Sequence, residues 1–222
     1  PYATFKHPNI LGGMLSIILV WFLFFMDRIK VLKFAYILGL VTLFLTSTRF
    51  SWISFIMGAA YYLVQKKDRS QIKYVIGALV MFVAVISLSL PLINGIELLD
   101  SKPSFYRRSD LLGSSYKLIK FKPLFGVGYS ASTAYIDEYL PPAHDIRFAQ
   151  PPHNIFVLLF LESGAIALFF FSLFLFKKIR DSFSSSIVYI SIMQIVFLGL
   201  FDHYFFTIHQ PQLLFWLVLG LI

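Results

Sequence analysis

The sequence predicts an all-α membrane protein: a polytopic transmembrane helical bundle of about seven spans, with one large extracytoplasmic loop bearing a short amphipathic helix. Three observations predict it. Hydrophobic residues make up 58% of the 222 residues, aromatics 18% and charged residues only 14%, far from the usage of a soluble domain. Several apolar runs approach the roughly 20 residues that cross a bilayer's hydrocarbon core, and a secretory signal would account for one such run, not seven. Basic residues fall mainly between the runs, so the net charge of +8 reads as membrane topology and not as a nucleic-acid footprint. With no cysteine, disulfide frameworks, zinc–thiolate sites and iron–sulfur clusters are excluded.

The spans are expected at Ile10–Met26, Val31–Thr48, Phe50–Val64, Lys73–Asn94, Asn154–Phe176, Ile187–Phe206 and Gln212–Ile222. Their orientation follows from three short basic loops. Asp27–Lys33 carries Arg28, Lys30 and Lys33; Gln65–Lys73 carries Lys66, Lys67, Arg69 and Lys73; Lys177–Asp181 carries Lys177, Lys178 and Arg180. These loops alternate with the spans so that all three are cytoplasmic at once. The N-terminal stub, the Thr48-Arg49 turn, the Gly95–Pro152 loop and the Asp202–Pro211 turn then lie outside. The chain opens on Pro1 and stops within an apolar run, so 1–222 is expected to be a piece of one membrane domain, with 95–152 as its outer loop.

That loop holds Tyr106, Tyr116, Phe121, Phe125, Tyr129, Tyr135, Tyr139 and Phe148, too many aromatics for a solvated tail. From Ser109 to Phe121 the residues Leu111, Leu112, Tyr116, Leu118 and Ile119 recur at mixed helical spacing, which predicts a helix lying on the membrane surface or against the spans. Lys120, Lys122 and Pro123 end it. Gly126 and Gly128 follow. No strand precedes them and no P-loop lysine follows, so they predict a tight turn and not a nucleotide cradle. The doublets Pro141-Pro142 and Pro151-Pro152 bracket His144, Asp145 and Arg147 in what reads as ordered loop.

On this topology the outer side gathers His7, Asn9, Arg49, Arg107, Arg108, His144, Arg147, His153, Asn154, Asp202, His203 and His209, which includes every histidine of the chain. Histidine and arginine prefer interfaces in any case, but Arg49 sits in a turn with almost no loop to solvate it. A guanidinium there is costly unless it faces a cavity, a partner or an anion, or snorkels to lipid phosphate. Its planar fork suits phosphate oxygens. His153, in Pro152-His153-Asn154 at the mouth of the fifth span, suits a general base. The positive end of a helix dipole disfavours imidazolium and leaves a neutral ring able to take a proton from a hydroxyl. Asn154 either orients that ring or begins the helix. Asp137-Glu138 is adjacent and diverging, and the other acids are scattered, so no metal constellation is expected outside. Glu162 lies deeper in the fifth span and is expected to bond within the bundle.

Phe5-Lys6-His7-Pro8-Asn9, Ser47-Thr48-Arg49, Arg108 with Pro123-Leu124-Phe125-Gly126-Val127-Gly128, and Pro152-His153-Asn154 with Glu162-Ser163-Gly164 occur in one order across nearly the whole chain, as does Asp202-His203-Tyr204. This order resembles the O-antigen ligase and polymerase superfamily. The resemblance implies transfer of a glycan from undecaprenyl diphosphate to an acceptor on the outer face of the cytoplasmic (inner) membrane, without a metal or cofactor. It implies Arg49 and Arg108 as diphosphate-binding residues and His153 as the base; Arg107, Asn154, His7 and Asn9 are expected to complete the substrate-binding set. The partners implied are a polyprenyl-diphosphate-linked glycan, a glycan or lipid acceptor and membrane lipids, with no nucleic acid. There are departures. A tryptophan commonly follows the loop arginine one turn on, where this chain has Leu112; Arg107 adjoins Arg108; and the second glycine of the family's Glu-x-Gly-x-x-Gly pattern is Ala167. A protein O-oligosaccharyltransferase shares these motifs. A polysaccharide or lipid transporter would instead carry ionisable residues at mid-span or on both faces.

Overall fold

A computed structural model describes residues 5, 7–66, 71–95, 103–141 and 150–222, and among them the regular structure is entirely helical. The elements are α1 (Pro8–Phe25), α2 (Val31–Leu45), α3 (Arg49–Gln65), α4 (Ile72–Gly95), α5 (Pro103–Phe121), α6 (Ser132–Ile136), α7 (Ile155–Asp181), α8 (Ser186–Gly199), α9 (Tyr204–Thr207) and α10 (His209–Gly220). Short 3₁₀ turns follow α6 and α7. His144, Asp145 and Arg147, like Lys67, Arg69, Glu97 and Asp100, fall outside the described residues. The chain forms two compact units: Pro1–Leu99 with Ser182–Leu198 and Leu214–Ile222, and Asp100–Asp181 with Gly199–Leu213.

In the first unit, local sequence explains the helix starts. His7 is extended, Pro8 opens α1, and the Asn9 N–H donates to His7 Nδ1 at 3.1 Å, an N-cap made by an imidazole. Helices α1 and α3 pack closely because the residues between them are small. A Cβ on Gly12 would lie 2.3 Å from Thr48 Oγ1, and one on Gly58 would lie 2.5 Å from Val20 Cγ2. Ser16 donates to Gly13 O at 2.8 Å and contacts Ser54 Oγ at 3.1 Å, while Gln194 of α8 donates to the Ser16 and Ser54 carbonyls at 3.1 and 3.0 Å. Small residues with polar links of this kind are how helices associate where lipid removes the hydrophobic drive.

The outward faces carry the complementary signal. Along α2, Val31, Phe34, Ile37, Leu38, Val41 and Leu45 are exposed at helical spacing, whereas Ser16, Ser51, Ser54 and Gln194 are buried. Large apolar side chains thus line the outer faces as well as the core, where Leu19, Leu23, Phe55 and Tyr62 are buried among the small polar residues, and apolar outer faces suit lipid as the solvent. Two helical stretches, Pro8–Phe25 and Ile155–Ser184, are long and apolar enough to cross a membrane; Val31–Leu45, Ile72–Ala84 and Ser186–Gly199 are shorter apolar helices.

Three of the differences from expectation exceed about three residues. The amphipathic helix starts at Pro103, before Ser109, because Pro103 suits the first helical turn. The sixth run breaks at Gly199, leaving Leu200 to His203 as a turn before the short α9, so Asp202 and His203 lie outside the helix. The fifth expected span, α7, extends to Asp181 but is broken at Gly164, where φ is 78° and ψ 179°.

Candidate active site

The break at Gly164 is where the second unit is built. An α-helix that stops frees the carbonyls of its last turn, and here the turn after α5 takes them. Val127 N–H donates to Leu161 O and Gly128 N–H to Glu162 O, both at 2.9 Å, while Ala165 N–H on the far side of the break donates to Pro123 O at 2.9 Å. The strand-like pairing leaves no room for side chains. A Cβ on Gly126 would come within 2.4 Å of the Glu162 backbone, and one on Gly164 within 2.1 Å of Leu124 O. Gly126, Gly128 and Gly164 all have positive φ, which only glycine adopts freely. The tight turn expected at Gly126 and Gly128 is therefore present, and its partner is the interior of α7.

Glu162 completes the interlock. Its carboxylate accepts the Ser130 N–H at 2.9 Å and the Ser132 hydroxyl at 2.6 Å, and it is only 8% exposed. Ser130 sits at φ 60°, a conformation that the Glu162 bond helps to hold. The expectation that Glu162 bonds internally is met, although its partners are Ser130 in the turn and Ser132 at the start of α6 and not other spans.

Ahead of α7, Asn154 is the cap. Its Oδ1 accepts the Phe156 and Val157 N–H groups at 2.9 and 3.1 Å, and its Nδ2 donates to Leu200 O at 3.1 Å. Both ends of the amide are thus engaged within the protein. His153 lies just before this cap and not in the first helical turn. The tie to Leu200, with Gly199 packed so that a Cβ would meet Ile155 Cδ1 at 2.5 Å, brings the turn after α8 against the start of α7.

Asp202 therefore meets His153. Asp202 Oδ1 is 3.3 Å from His153 Nδ1 and also accepts the His203 N–H at 2.8 Å. Burial would raise the Asp202 pKa, but the hydrogen bond and charge of His153, with the charge and N–H of His203, outweigh it and hold the pKa at about 2. An ionised carboxylate only accepts, so Nδ1 of His153 holds a proton toward Asp202, and Nε2 is the ring nitrogen left to meet a ligand. The side chains of His153 and Asp202 are 22% and 13% exposed, open enough for a ligand to reach the imidazole.

His203 is the third member. Its ring centroid lies 5.2 Å from that of His153, and its Nδ1 shares a hydrogen bond of 2.7 Å with the Thr207 hydroxyl. Burial, opposed by Asp202 and reinforced by the positive charges of His153 and Arg108, pushes the His203 pKa down to about 4. It is neutral near pH 7. Arg108, on α5, thus lies within electrostatic reach of the pair, while Arg107 beside it is exposed.

His153, Asp202 and His203 each offer one ligand atom, and these atoms lie within 4.8 Å of one another, a group able to hold a metal ion. The absence of any such constellation was expected from spacing; the fold makes one by joining residues 49 positions apart. A cation there would draw on the carboxylate that the imidazole N–H engages, so the two uses compete.

His7, Asn9 and Arg49 belong to the first unit. Arg49 is the exposed first residue of α3, after a turn in which Ser47 has φ 53° and the Thr46 and Thr48 hydroxyls meet at 3.0 Å. The Ser-Thr-Arg motif is thus a rigid corner that seats on Gly12 of α1. Sequence reasoning placed Asp202 and His203 in the outer polar set and in the Asp202-His203-Tyr204 motif of the family resemblance, without assigning a role to either.

The model of the O-antigen ligase family matches residues 34–172, more than half of the chain. That segment contains Arg49, Arg108, the Pro123–Gly128 turn, His153 and Glu162. No curated protein and no solved structure matches the chain.

Proposed function

The chain belongs to the O-antigen ligase family, whose activity is glycan transfer at a membrane, and we propose that it moves a glycan from an undecaprenyl-diphosphate carrier to an acceptor hydroxyl on the outer face of the cytoplasmic membrane. The observation that carries this reading is the His153–Asp202 pair at the mouth of α7.

In the proposed step, Nε2 of His153 takes the proton of the acceptor hydroxyl. The oxygen attacks the anomeric carbon of the donor sugar, and the bond from that carbon to the diphosphate oxygen breaks. The electron pair leaves with the lipid diphosphate, and the proton remains on His153 until product release. Asp202 fixes the reactive tautomer and stabilises the imidazolium, as an orienting carboxylate does wherever histidine is a base. Asn154 positions the ring through its cap and its bond to Leu200, a role that replaces direct substrate binding.

Diphosphate needs charge stabilisation more than protonation when it leaves. Arg108 supplies it, with bidentate contacts that suit phosphate oxygens, and the family resemblance implies a diphosphate-binding role for Arg49, with Arg107 beside Arg108 in the substrate-binding set. Neutral His203 keeps the pocket from carrying a further cation beside His153. His7 and Asn9 act by capping α1, which seats the Ser47–Arg49 corner. The membrane arrangement that goes with this reading has seven spans, the three basic loops in the cytoplasm and the site outside.

The test is transfer in vitro from a lipid-diphosphate-linked glycan, with and without a chelator. Transfer that persists under chelation supports the base reading. Transfer that chelation abolishes and added metal restores would assign the His153–Asp202–His203 group to a cation instead.

A further inference from the structure

Beside this cluster lies a cavity that the proposed step does not use. Its volume is about 240 Å³, and it is walled by the Tyr129–Thr133 segment, the Leu158–Ser163 turn of α7 and residues of α9 and α10. This is below the roughly 300–1,000 Å³ of pockets that take drug-sized ligands, so it suits a single ring.

The chemistry of its wall is that of a neutral polyol site. Among the described residues His209 is the basic side chain in its wall and no lysine or arginine lines it, while the Glu162 carboxylate does, which disfavours phosphate and other anions. Each carboxylate oxygen of Glu162 accepts one bond from the protein, and an ionised carboxylate has about four acceptor positions in all. Two directions therefore remain for ligand hydroxyls. Across the cavity, the Gln212 Nε2 group donates to Phe206 O, which leaves its Oε1 to accept. The Tyr129 ring, 78% exposed, offers an apolar face with a polar tip. Hydroxyl-directed acceptors around one aromatic face are what a sugar ring, apolar on its C–H face and polar at its edge, requires.

Its position relates it to the base. Thr207, on the cavity wall, hydrogen-bonds His203, whose ring adjoins His153, and Pro151, also on the wall, is two residues ahead of His153. We infer that this cavity is the subsite for the sugar that bears the acceptor hydroxyl, held by Tyr129, Glu162 and Gln212. The inference rests on the transfer reading for its role. The existence of a sugar site does not depend on that reading.

The probes are methyl glycosides of glucose, galactose and N-acetylglucosamine, observed by saturation-transfer NMR on the detergent-solubilised chain. At least one should receive saturation from the protein. Tyr129→Ala should weaken it tenfold or more, Tyr129→Phe should retain it, and His153→Ala should retain it because the base does not hold the ring. In transfer assays Tyr129→Ala should raise the acceptor KM while leaving the donor KM unchanged. Tyr129 is exposed, so these variants leave the fold intact; Gln212→Ala, which should also weaken the probe, provides a second point on the opposite wall. Absence of any contact with the glycosides, or binding by Tyr129→Ala equal to wild type, overturns the subsite. Normal transfer by His153→Ala would instead strike the catalytic reading and leave the sugar-binding result standing.

Discussion

Nδ1 of His153 and Oδ1 of Asp202 lie 3.3 Å apart although 49 residues separate them. A carboxylate held at about pKa 2 fixes the proton on Nδ1 and leaves Nε2 as the acceptor. Asp202→Asn keeps the shape but presents an amide that no longer selects this tautomer. Turnover should fall by about 10²-fold or more, within the range of general-base losses, while donor and acceptor binding stay near wild type. A variant with unchanged kcat removes Asp202 from the mechanism.

The same turn predicts a pH dependence of stability. The folded pKa of His203, about 4, lies below its ordinary value of 6.5, so the unfolded chain takes up the proton first as pH falls. The stability that His203 contributes is complete above pH 6.5 and erodes between 6.5 and 4. Asp202, depressed to about 2, contributes stability above the ordinary carboxylate range that is lost as pH falls through 2. The unfolding midpoint should therefore decline from pH 6.5 to 4 in wild type, and His203→Gln should flatten that segment. An equal decline in the variant assigns the effect to other groups.

Glycine substitutions separate the interlock from ordinary helix. Gly126→Ala and Gly164→Ala each add a Cβ against backbone, at 2.4 and 2.1 Å, in a left-handed conformation. Strain of about 1–3 kcal/mol each, plus the overlap, should lower the unfolding midpoint or yield. Gly113 in α5 has nothing within 4 Å of an added Cβ, so Gly113→Ala should stabilise by roughly 0.4–1 kcal/mol. If all three alanines behave alike, the Pro123–Gly128 turn does not depend on its fit into the break.

Much of this architecture is legible in the sequence, and the remainder has a physical reason for being hidden. Apolar runs mark the helices to within a few residues because hydropathy is a local property, and Gly126 and Gly128 announce a turn because glycine supplies positive φ. The break at Gly164 is silent. Hydropathy runs through it without interruption, and a lone glycine in a helical pattern is usually tolerated. What opens the helix there is a turn some forty residues upstream that takes its carbonyls. Asn154 could be read as a cap from its residue type, whereas its tie to Leu200, and with it the meeting of His153 and Asp202, arises only from tertiary packing.

Topology has a direct check in a chain that contains no cysteine. Ser109→Cys on α5 should be labelled by an impermeant thiol reagent from outside, and Ser184→Cys after α7 should be spared; both positions are exposed. The opposite pattern would place the His153 cluster in the cytoplasm and end the reading in terms of an outer-face donor.

Arginine chemistry distinguishes charge from geometry. Arg49→Lys and Arg108→Lys keep the charge but lose the planar fork, so each should lower kcat/KM for the lipid donor by about tenfold or more and leave the acceptor KM unchanged. Lysine variants with wild-type donor kinetics would reduce both arginines to interfacial anchors.

The most direct measurement is the turnover of His153→Ala in a purified, folded preparation, with retention of the lipid-diphosphate donor measured in parallel. Loss of a general base costs about 10²–10⁴ in rate, so transfer should fall by that factor while donor retention stays near wild type. Near-normal transfer by this variant would contradict the assignment of His153 as the base and move acceptor activation to another group.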